Sequence, residues 1–392
     1  MTSKRNDSHA ELFEDLRKLG AELREGITGR DRSAVFDHEG WKRYAELGVQ
    51  GLLVPTAYGG RGYDPTRYAD VMEELGFNCP DNGLLMAMGA HILAVGLPVA
   101  EFGDEEQRAA YLPALASGRT IGAHAMTEPG TGSDALALTA TARRDGDHYL
   151  LDGHKRYITN APVADLFLVY ATIDRSLGFT GVTAFLVERG DAGITVTPGS
   201  EKLGLRTASW GDVVLDGCRI PASRRLGAEK QGAAVFARTM AFERALILAP
   251  WLGVMRRELE ECVRYCRRRR QFGKHIGHYQ SVSNRLVDMR MRWELSRLII
   301  RSAAAELNGS DAGVQPELSK LYTSEAAVEM FTSALQIHGA LGYTHDNSAE
   351  RNLRDALGMT LSSGASDMQR SVVAARMGLT WPDRENRPDR EN

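Results

Sequence analysis

The spacing of apolar residues and turn residues changes twice along the 392 residues of this sequence. From residue 10 to about 117, apolar residues recur at the three- and four-residue spacing of an amphipathic helix, as at Leu12 and Leu16. Between about 121 and 232, short β-branched and aromatic runs alternate with turn residues, and long helical patterns return from 233 to about 377. This order excludes a pure helix bundle, a pure β protein and a regular α/β alternation.

We therefore predict an α+β multi-layer fold. Its parts are an N-terminal helical domain at residues 1–120, a central β-sandwich or barrel domain at 121–232 and a C-terminal helical bundle at 233–378. The longest helical pattern in the last part runs from Ala233 to Arg270. The end of the chain, 379–392, carries an imperfect repeat of Pro-Asp-Arg-Glu-Asn, and we expect it to be disordered.

Composition and charge narrow the function. A chain with 43% hydrophobic and 25% charged residues has the composition of a globular protein, not of a disordered one. A net charge of −3 provides no large basic field for nucleic acid. The amino terminus is polar, and no stretch of about 18 uninterrupted apolar residues occurs. We expect a cytoplasmic protein that binds neither nucleic acid nor a membrane.

The four cysteines are too few and too scattered for a disulfide framework, which favours a reducing compartment. Cys262 and Cys266 lie one turn apart on a predicted helix. No histidine or further cysteine nearby in the sequence completes a ligand set with them. We therefore expect no metal site.

A loop rich in glycine and small hydroxyl residues lies where the first helical part gives way to strands. It reads Ala125-Met126-Thr127-Glu128-Pro129-Gly130-Thr131-Gly132-Ser133-Asp134. Such a loop presents main-chain N–H groups to a polar or anionic group. Taken alone, an ordinary turn explains it at least as well.

Three further segments favour a ligand-binding loop over an ordinary turn. They read Lys155-Arg156-Tyr157-Ile158-Thr159-Asn160, Arg269-Arg270-Gln271-Phe272-Gly273-Lys274 and Gln336-Ile337-His338-Gly339-Ala340-Leu341-Gly342-Tyr343. The first offers an aromatic ring and a hydroxyl to a planar ligand, and the second offers a basic helix end to a pyrophosphate. In this order, the four segments resemble the acyl-CoA dehydrogenase family of flavoproteins.

The resemblance extends from about residue 10 to 378 and implies a fold, a cofactor and an assembly. The fold is an N-terminal helical domain, a central β domain and a C-terminal four-helix bundle. The cofactor is non-covalent FAD, and the assembly is a homodimer or homotetramer with flavin sites near subunit interfaces. Electrons would pass to an electron-transfer flavoprotein or to oxygen.

The resemblance also implies roles for individual residues. Contacts to the flavin are expected from Met126, Thr127, Tyr157, Ile158 and Thr159, with Ser133 beside the thioester or the cofactor. Contacts to the pyrophosphate and adenosine are expected, partly across a subunit interface, from Arg269, Gln271, Phe272, Gln280, Gln336 and Gly339. We place Arg244 with Ser133 on the substrate side.

The implied reaction is α,β-dehydrogenation of an acyl thioester, which needs a carboxylate to remove the α-proton. Most members carry that glutamate late in the chain, where this sequence has Ser363, and a serine hydroxyl is no unaided base. Either the chemistry is lost, or another carboxylate reaches the same space. We favour Glu243, which interrupts an apolar helical face and matches the alternative base position of the isovaleryl-CoA dehydrogenase-like branch. A structural ion pair is the competing explanation for Glu243.

In this hypothesis Ser363 keeps the backbone N–H that binds the thioester carbonyl, while Glu243 supplies the base. The sequence looks closest to the branch that acts on acyl groups bound to carrier proteins, including prolyl thioester dehydrogenases. Arg267 to Arg270 would meet an acidic carrier protein or a CoA phosphate, or form a solvated helix end. A flavin-dependent oxidase or N-hydroxylase on the same fold and a catalytically inactive binding protein are the alternatives.

Overall fold

The computed structural model describes residues 3–308 and 313–379, with side chains from residue 10 onward. All of the predicted disordered tail except Leu379 lies outside the described residues. Seven helices make up the N-terminal part: α1 (Ser3–Glu22), α2 (Ile27–Ser33), α3 (His38–Glu46), α4 (Pro65–Asn78), α5 (Asn82–His91), α6 (Leu97–Phe102) and α7 (Glu105–Ala116).

Local capping chemistry sets where several of these helices begin. Asp64 accepts a hydrogen bond from the backbone of Arg67 at the start of α4, and Pro65 takes the first helical position, where no N–H is needed. Asp104 and Gln107 form a reciprocal capping box on α7. These helix starts follow from residues within one turn of each other.

A π-helical turn, Ile92–Gly96, joins α5 to α6 into one apolar rod. This rod, Asn82–Phe102, is long and apolar enough to cross a membrane by length and composition. The apolar 18-residue window within it is 94% buried inside the protein, so the rod is a core helix of the fold.

Eight strands follow: β1 (Gly122–Ala125), β2 (Thr141–Asp145), β3 (His148–Thr159), β4 (Leu166–Thr172), β5 (Val182–Glu188), β6 (Ile194–Pro198), β7 (Trp210–Pro221) and β8 (Arg225–Leu226). They form one mixed sheet in the order β6-β7-β3-β2-β4-β5-β8, with β1 parallel to β4. A single residue pair, Thr141 with Thr172, joins β2 to β4, so the sheet divides there into two halves. Tyr149 of β3 meets Phe185 of β5 with ring centroids 5.0 Å apart, which brings the halves face to face around a core.

The C-terminal part contains α8 (Gly232–Leu246), α9 (Ala249–Arg268), the short hairpin β9 (Arg270–Gln271) and β10 (Lys274–His275), α10 (Gln280–Glu306), α11 (Gln315–His338), α12 (Ser348–Met359) and α13 (Ser366–Arg376). The prediction of one helix from Ala233 to Arg270 is wrong. Pro250 stands in the first turn of α9, where its missing N–H costs nothing, whereas inside a longer helix it would remove a hydrogen bond.

Close contacts join the three parts into one core. A Cβ added at Gly76 of α4 would lie 1.8 Å from the Pro250 carbonyl oxygen, and one at Gly253 of α9 would lie 2.0 Å from that of Glu73. Only glycine therefore permits this approach of α4 to α9. The buried Asp355 of α12 accepts hydrogen bonds from the Asn82 side chain and the Leu205 backbone. The predicted fold class, helices on both sides of a central β part, is confirmed.

Candidate active site

The loop after β1 is held by the neighbouring strand β3. The backbone N–H of Arg156 donates to the Thr127 carbonyl at 2.8 Å, and the Lys155 ammonium donates to the Met126 carbonyl at 3.2 Å. Within the loop, Glu128 and Thr131 exchange backbone hydrogen bonds at 3.1 and 3.2 Å. The main chain of this segment is therefore fixed before any ligand arrives.

A buried ion pair lies directly beneath this loop. Lys155 and Glu128 are 2.8 Å apart, with side-chain exposures of 0% and 3%. Glu128 also accepts from the backbone and hydroxyl of Thr139 and the backbone of Ala140. Burial lowers the pKa of Lys155, although the Glu128 charge opposes the shift. Against its burial, the Lys155 charge and the Thr139 donors lower the pKa of the Glu128 carboxyl, which favours its charged form.

Lys155→Met is expected to destabilise the fold by about 3–5 kcal/mol, because it leaves the Glu128 carboxylate buried without its cation. Urea unfolding of the purified protein measures the loss. The double variant Lys155→Met/Glu128→Gln is the matched control, and it is expected to recover much of the stability since no unpaired charge remains. Equal stability of the wild-type protein and the single variant would contradict the role given to the pair.

Tyr157 has an unusual backbone conformation next to this loop. Its φ is +60°, a left-handed value that is strained for a bulky residue, and it lies in an irregularity of the β3–β7 pairing between Lys155 and Ile158. The ring is 50% exposed and stacks on Trp210 with centroids 5.0 Å apart. The Arg156 guanidinium lies 5.0 Å from the centroid of the same ring, and the Arg156 backbone binds the Thr127 carbonyl, so the bulge leaves Tyr157 half-exposed next to the strand that holds this loop. Ile158 next to it is buried, and Ser133 is exposed.

Glu243 lies in the buried face of α8, as its apolar neighbours predicted. Its exposed fraction is 7%, and burial raises the pKa of its carboxyl to about 7, against a hydrogen bond from the Ser363 side chain and the charge of Arg244. The adjacent Arg244 pairs instead with Glu317 of α11 at 2.9 Å. Among the described residues Glu243 has no salt-bridge partner, so the competing explanation of a structural ion pair finds no support here.

Ser363 lies in the turn between α12 and α13, and its backbone is also left-handed, with φ at +50°. The buried Gln369 amide donates to the carbonyls of Ser363 and Gly364 at 3.3 and 3.0 Å, which fixes the turn. The structure therefore brings Glu243 and Ser363 together across 120 residues of sequence. Sequence reasoning missed Glu317, because nothing in the local pattern marks a carboxylate that pairs with Arg244, 73 residues away. It also missed Gln369, although Gln369 lies only five and six residues from the carbonyls that it holds.

A cluster of aromatic residues near Glu243 was not predicted from the sequence. The cluster consists of Tyr68, His124, Tyr170 and Phe236. The His124 ring of β1 lies 5.2 Å from Tyr170 of β4 and 6.1 Å from Phe236, two turns before Glu243 on α8. The His124 Nε2 and the Tyr68 hydroxyl are buried and without hydrogen-bond partners in the described structure. The Glu243 charge contributes to raising the pKa of Tyr68, after burial itself. The Tyr170 hydroxyl is likewise buried without a hydrogen-bond partner in the described structure, and the Glu243 charge also contributes to raising its pKa.

The remaining predicted residues form a second group at the end of α9. Arg269, Gln271 and Gln280 are exposed, and Phe272 is 94% exposed with φ at +48°. Tyr265, one turn before Arg269, packs on His338 at 4.5 Å between centroids, which places the exposed Gln336 and Gly339 at the same end of the bundle. Among the described residues, no hydrogen bond or ring contact joins this group to the residues predicted to contact the flavin, which are Met126, Thr127, Tyr157, Ile158 and Thr159.

Comparison with known proteins identifies the family of this chain. Three family models match successive parts of the chain: the acyl-CoA dehydrogenase N-terminal domain at residues 6–119, the middle domain at 123–218 and the C-terminal domain at 230–378. Together they cover most of the chain. The chain belongs to the acyl-CoA dehydrogenase family.

Relatives and solved structures agree with this assignment. An L-prolyl-[peptidyl-carrier protein] dehydrogenase of Pseudomonas fluorescens is 41% identical over 90% of this chain and 93% of its own. The crystal structure of the prolyl acyl carrier protein oxidase AnaB superposes with a TM-score of 0.91 at 40% identity, covering 94% of this chain and 99% of that one. PigA with FAD and proline has a TM-score of 0.91 at 34% identity, covering 95% and 98%. As an acyl-CoA dehydrogenase family member, the chain is an oxidoreductase acting on CH–CH bonds.

Proposed function

We propose that this protein is an FAD-dependent dehydrogenase of an acyl thioester in which Glu243 removes the α-proton. The observation that carries the proposal is the buried position of the Glu243 carboxyl beside Ser363, where burial raises its pKa to about 7. A general base works best when its pKa lies near the operating pH. The α-proton of a thioester is weakly acidic, and a water-poor environment strengthens the base.

Ser363 supports the second requirement, which is stabilisation of the negative charge on the thioester oxygen as the proton leaves. The left-handed turn at Ser363, held by Gln369 through two carbonyls, sets the direction of the Ser363 backbone N–H. A fixed N–H donor lowers the free energy of an enolate-like transition state without reorganising during the reaction. We assign this donor to the thioester carbonyl and the Ser363 hydroxyl to the Glu243 carboxylate.

The residues around the loop after β1 fit a flavin. Gly130 and Gly132 have nothing within 4 Å of where a side chain would begin, and the Thr131 hydroxyl is buried without a partner. In our proposal the flavin ring is held by Met126, Thr127, Tyr157, Ile158 and Thr159, and Ser133 and Arg244 lie on the substrate side. FAD, when bound, supplies the acceptor for the β-hydrogen and its two electrons.

The exposed group at the end of α9 supports an oligomer. Arg269, Gln271, Phe272, Gln280, Gln336 and Gly339 would hold the pyrophosphate and adenosine of FAD, partly across a subunit interface. On α10, Val287, Met291, Leu295 and Leu298 are 61%, 56%, 45% and 65% exposed, at helical spacing on one face. An exposed apolar stripe of this kind marks a protein interface. We propose a homodimer or homotetramer built on this face.

The relatives support a carrier-protein substrate. The Pseudomonas fluorescens relative acts on a prolyl group bound to a peptidyl-carrier protein, and AnaB is a prolyl acyl carrier protein oxidase. We propose a cyclic aminoacyl thioester, presented by a carrier protein and not by CoA, as the substrate, and we place the enzyme in the cytoplasm. The AnaB likeness favours a second candidate, an oxidase that passes the electrons to oxygen instead of an electron-transfer flavoprotein.

Anaerobic titration with a panel of thioesters tests this function. Prolyl-carrier protein is expected to bleach the flavin about 10–100-fold faster than butyryl-CoA or isovaleryl-CoA, since a site built for polar groups discriminates against ligands that leave them unpaired. Stopped-flow absorbance gives the rates. If no thioester bleaches the flavin, the proposed function is wrong. Rapid reoxidation by air of the enzyme reduced in this way identifies the oxidase.

A further inference from the structure

A buried cluster at the end of α11 contains three side chains of the types that bind metal ions. Glu258 and Cys262 lie one turn apart on α9, and His338 is the last residue of α11. One donor atom from each lies within 4.8 Å of the other two, and all three residues are buried. The sequence predicts no metal site, because 76 residues separate Cys262 from His338.

The tautomer of His338 turns a lone pair toward the other two groups. The Nδ1 atom lies 2.9 Å from the Ala334 carbonyl, which can only accept, so Nδ1 carries the hydrogen. Tyr265 packs on the same ring and limits its rotation. The Nε2 atom, left as an acceptor, has no hydrogen-bond partner in the described structure. A histidine whose other nitrogen donates to a backbone carbonyl has the orientation of a metal ligand.

Glu258, like His338, has one polar atom with hydrogen-bond partners and one without. Its Oε2 accepts from the Asn352 amide at 2.8 Å and from the Ser348 hydroxyl at 3.2 Å, while its buried Oε1 has no partner. The adjacent Arg257 directs its guanidinium to the carbonyls of Gly76, Phe77 and Cys79 and does not pair with the carboxylate. Hydrogen bonds therefore orient Glu258 through Oε2 and leave Oε1 free to bind an ion.

If the Glu258 carboxyl and the Cys262 thiol are both deprotonated, they and the lone pair of His338 Nε2 repel each other at this separation unless something positive lies between them. A proton on one of them, a bridging water or a cation meets that need. Burial raises the pKa of the Glu258 carboxyl and of the Cys262 thiol, and a metal ion binds such ligands in their deprotonated forms. We propose that Glu258, Cys262 and His338 form a buried binding site for a divalent cation of the zinc type.

The donor set selects this class of metal. Thiolate, imidazole and carboxylate together suit zinc, whose ligands lie at about 2.0–2.3 Å, and they do not suit calcium or magnesium, which take oxygen ligands. Tetrahedral geometry at those lengths separates ligand atoms by roughly 3.3–3.8 Å, so side-chain movements of about 1 Å close the site. The three residues supply three of four positions and leave one for water. The ion would tie α9 to α11, with α12 attached through Asn352 and Ser348.

Metal analysis of the untagged flavoprotein, produced with zinc and washed with a chelator, tests the proposal. We expect about one zinc per chain in the wild-type protein and roughly a tenfold loss in Cys262→Ala and His338→Gln. Cys266→Ala is the matched control, because Cys266 is equally buried one turn further along α9, and it should keep its zinc. Cobalt in place of zinc should show a thiolate-to-metal absorption band that Cys262→Ala lacks.

A variant of Asn352, whose amide orients the Glu258 carboxylate, adds a graded readout. Asn352→Ala is expected to weaken zinc binding about 10–100-fold, because it frees the Glu258 carboxylate. Zinc well below one per chain in every form, with no cobalt band, would overturn the proposal and assign the cluster to protons and water. Equal zinc in the wild-type protein, Cys262→Ala and His338→Gln would overturn it as well. None of these readouts depends on thioester chemistry.

Discussion

Glu243→Gln is expected to bind FAD normally and to lose about 10³-fold or more in the rate of flavin reduction by its thioester substrate. The substitution keeps the size of the side chain and removes the only property the reaction needs from it, an ionisable oxygen. Because the carboxyl has a pKa of about 7, the wild-type rate should also fall about tenfold per unit below about pH 7. Anaerobic stopped-flow absorbance measures both effects.

Two controls sharpen this test. Glu73→Gln neutralises another buried carboxylate, which pairs with Arg297 at 3.0 Å outside the candidate site, and it should leave the reduction rate unchanged. Adding Ser363→Glu to Glu243→Gln places a carboxylate in the position that most family members use, and it should restore part of the rate. Wild-type rates in Glu243→Gln would remove Glu243 from the mechanism, although the family assignment would stand.

The same substitution is expected to stabilise the folded protein at alkaline pH. Burial raises the carboxyl pKa from 4.5 to about 7, so the folded state binds more protons than the unfolded state between these values. The stability that the protonated group contributes is fully present below about pH 4.5 and is lost as the pH rises to about 7. A glutamine cannot ionise and avoids this loss. The free energy of unfolding of Glu243→Gln relative to wild type should therefore be about 2–3 kcal/mol greater at pH 8 than at pH 5.

Urea unfolding of the two proteins at both pH values measures that difference. Ser363→Ala is the companion variant: it removes a hydrogen bond that favours the ionised carboxylate, so the pH-dependent loss of stability should grow. A pH-independent difference between Glu243→Gln and wild type would show that the carboxyl titrates alike in the folded and unfolded states. A gain in stability from loss of the base fits the general exchange of stability for activity at catalytic sites.

Much of the fold could be predicted because its signals are local. The apolar spacing at Leu12 and Leu16, the cap at Asp64 and the fully buried strand β4 each depend on residues within about one turn or one strand. The prediction of one helix from Ala233 to Arg270 was wrong because it followed the apolar pattern and passed over Pro250, which is itself a local signal for the start of a helix. The domain boundaries and the roles given to site residues stay predictions.

The sequence alone determined the order of the three parts, the family and the candidate base, since periodicity, motif and the isolated charge of Glu243 are all written in neighbouring residues. Only the tertiary structure decided which side chains meet. It paired Lys155 with Glu128, set Ser363 against Glu243 and gathered Glu258, Cys262 and His338. The physical reason is that contacts between distant side chains depend on where helices and strands pack against each other. That packing is set by the whole core and not by the residues on either side of one position.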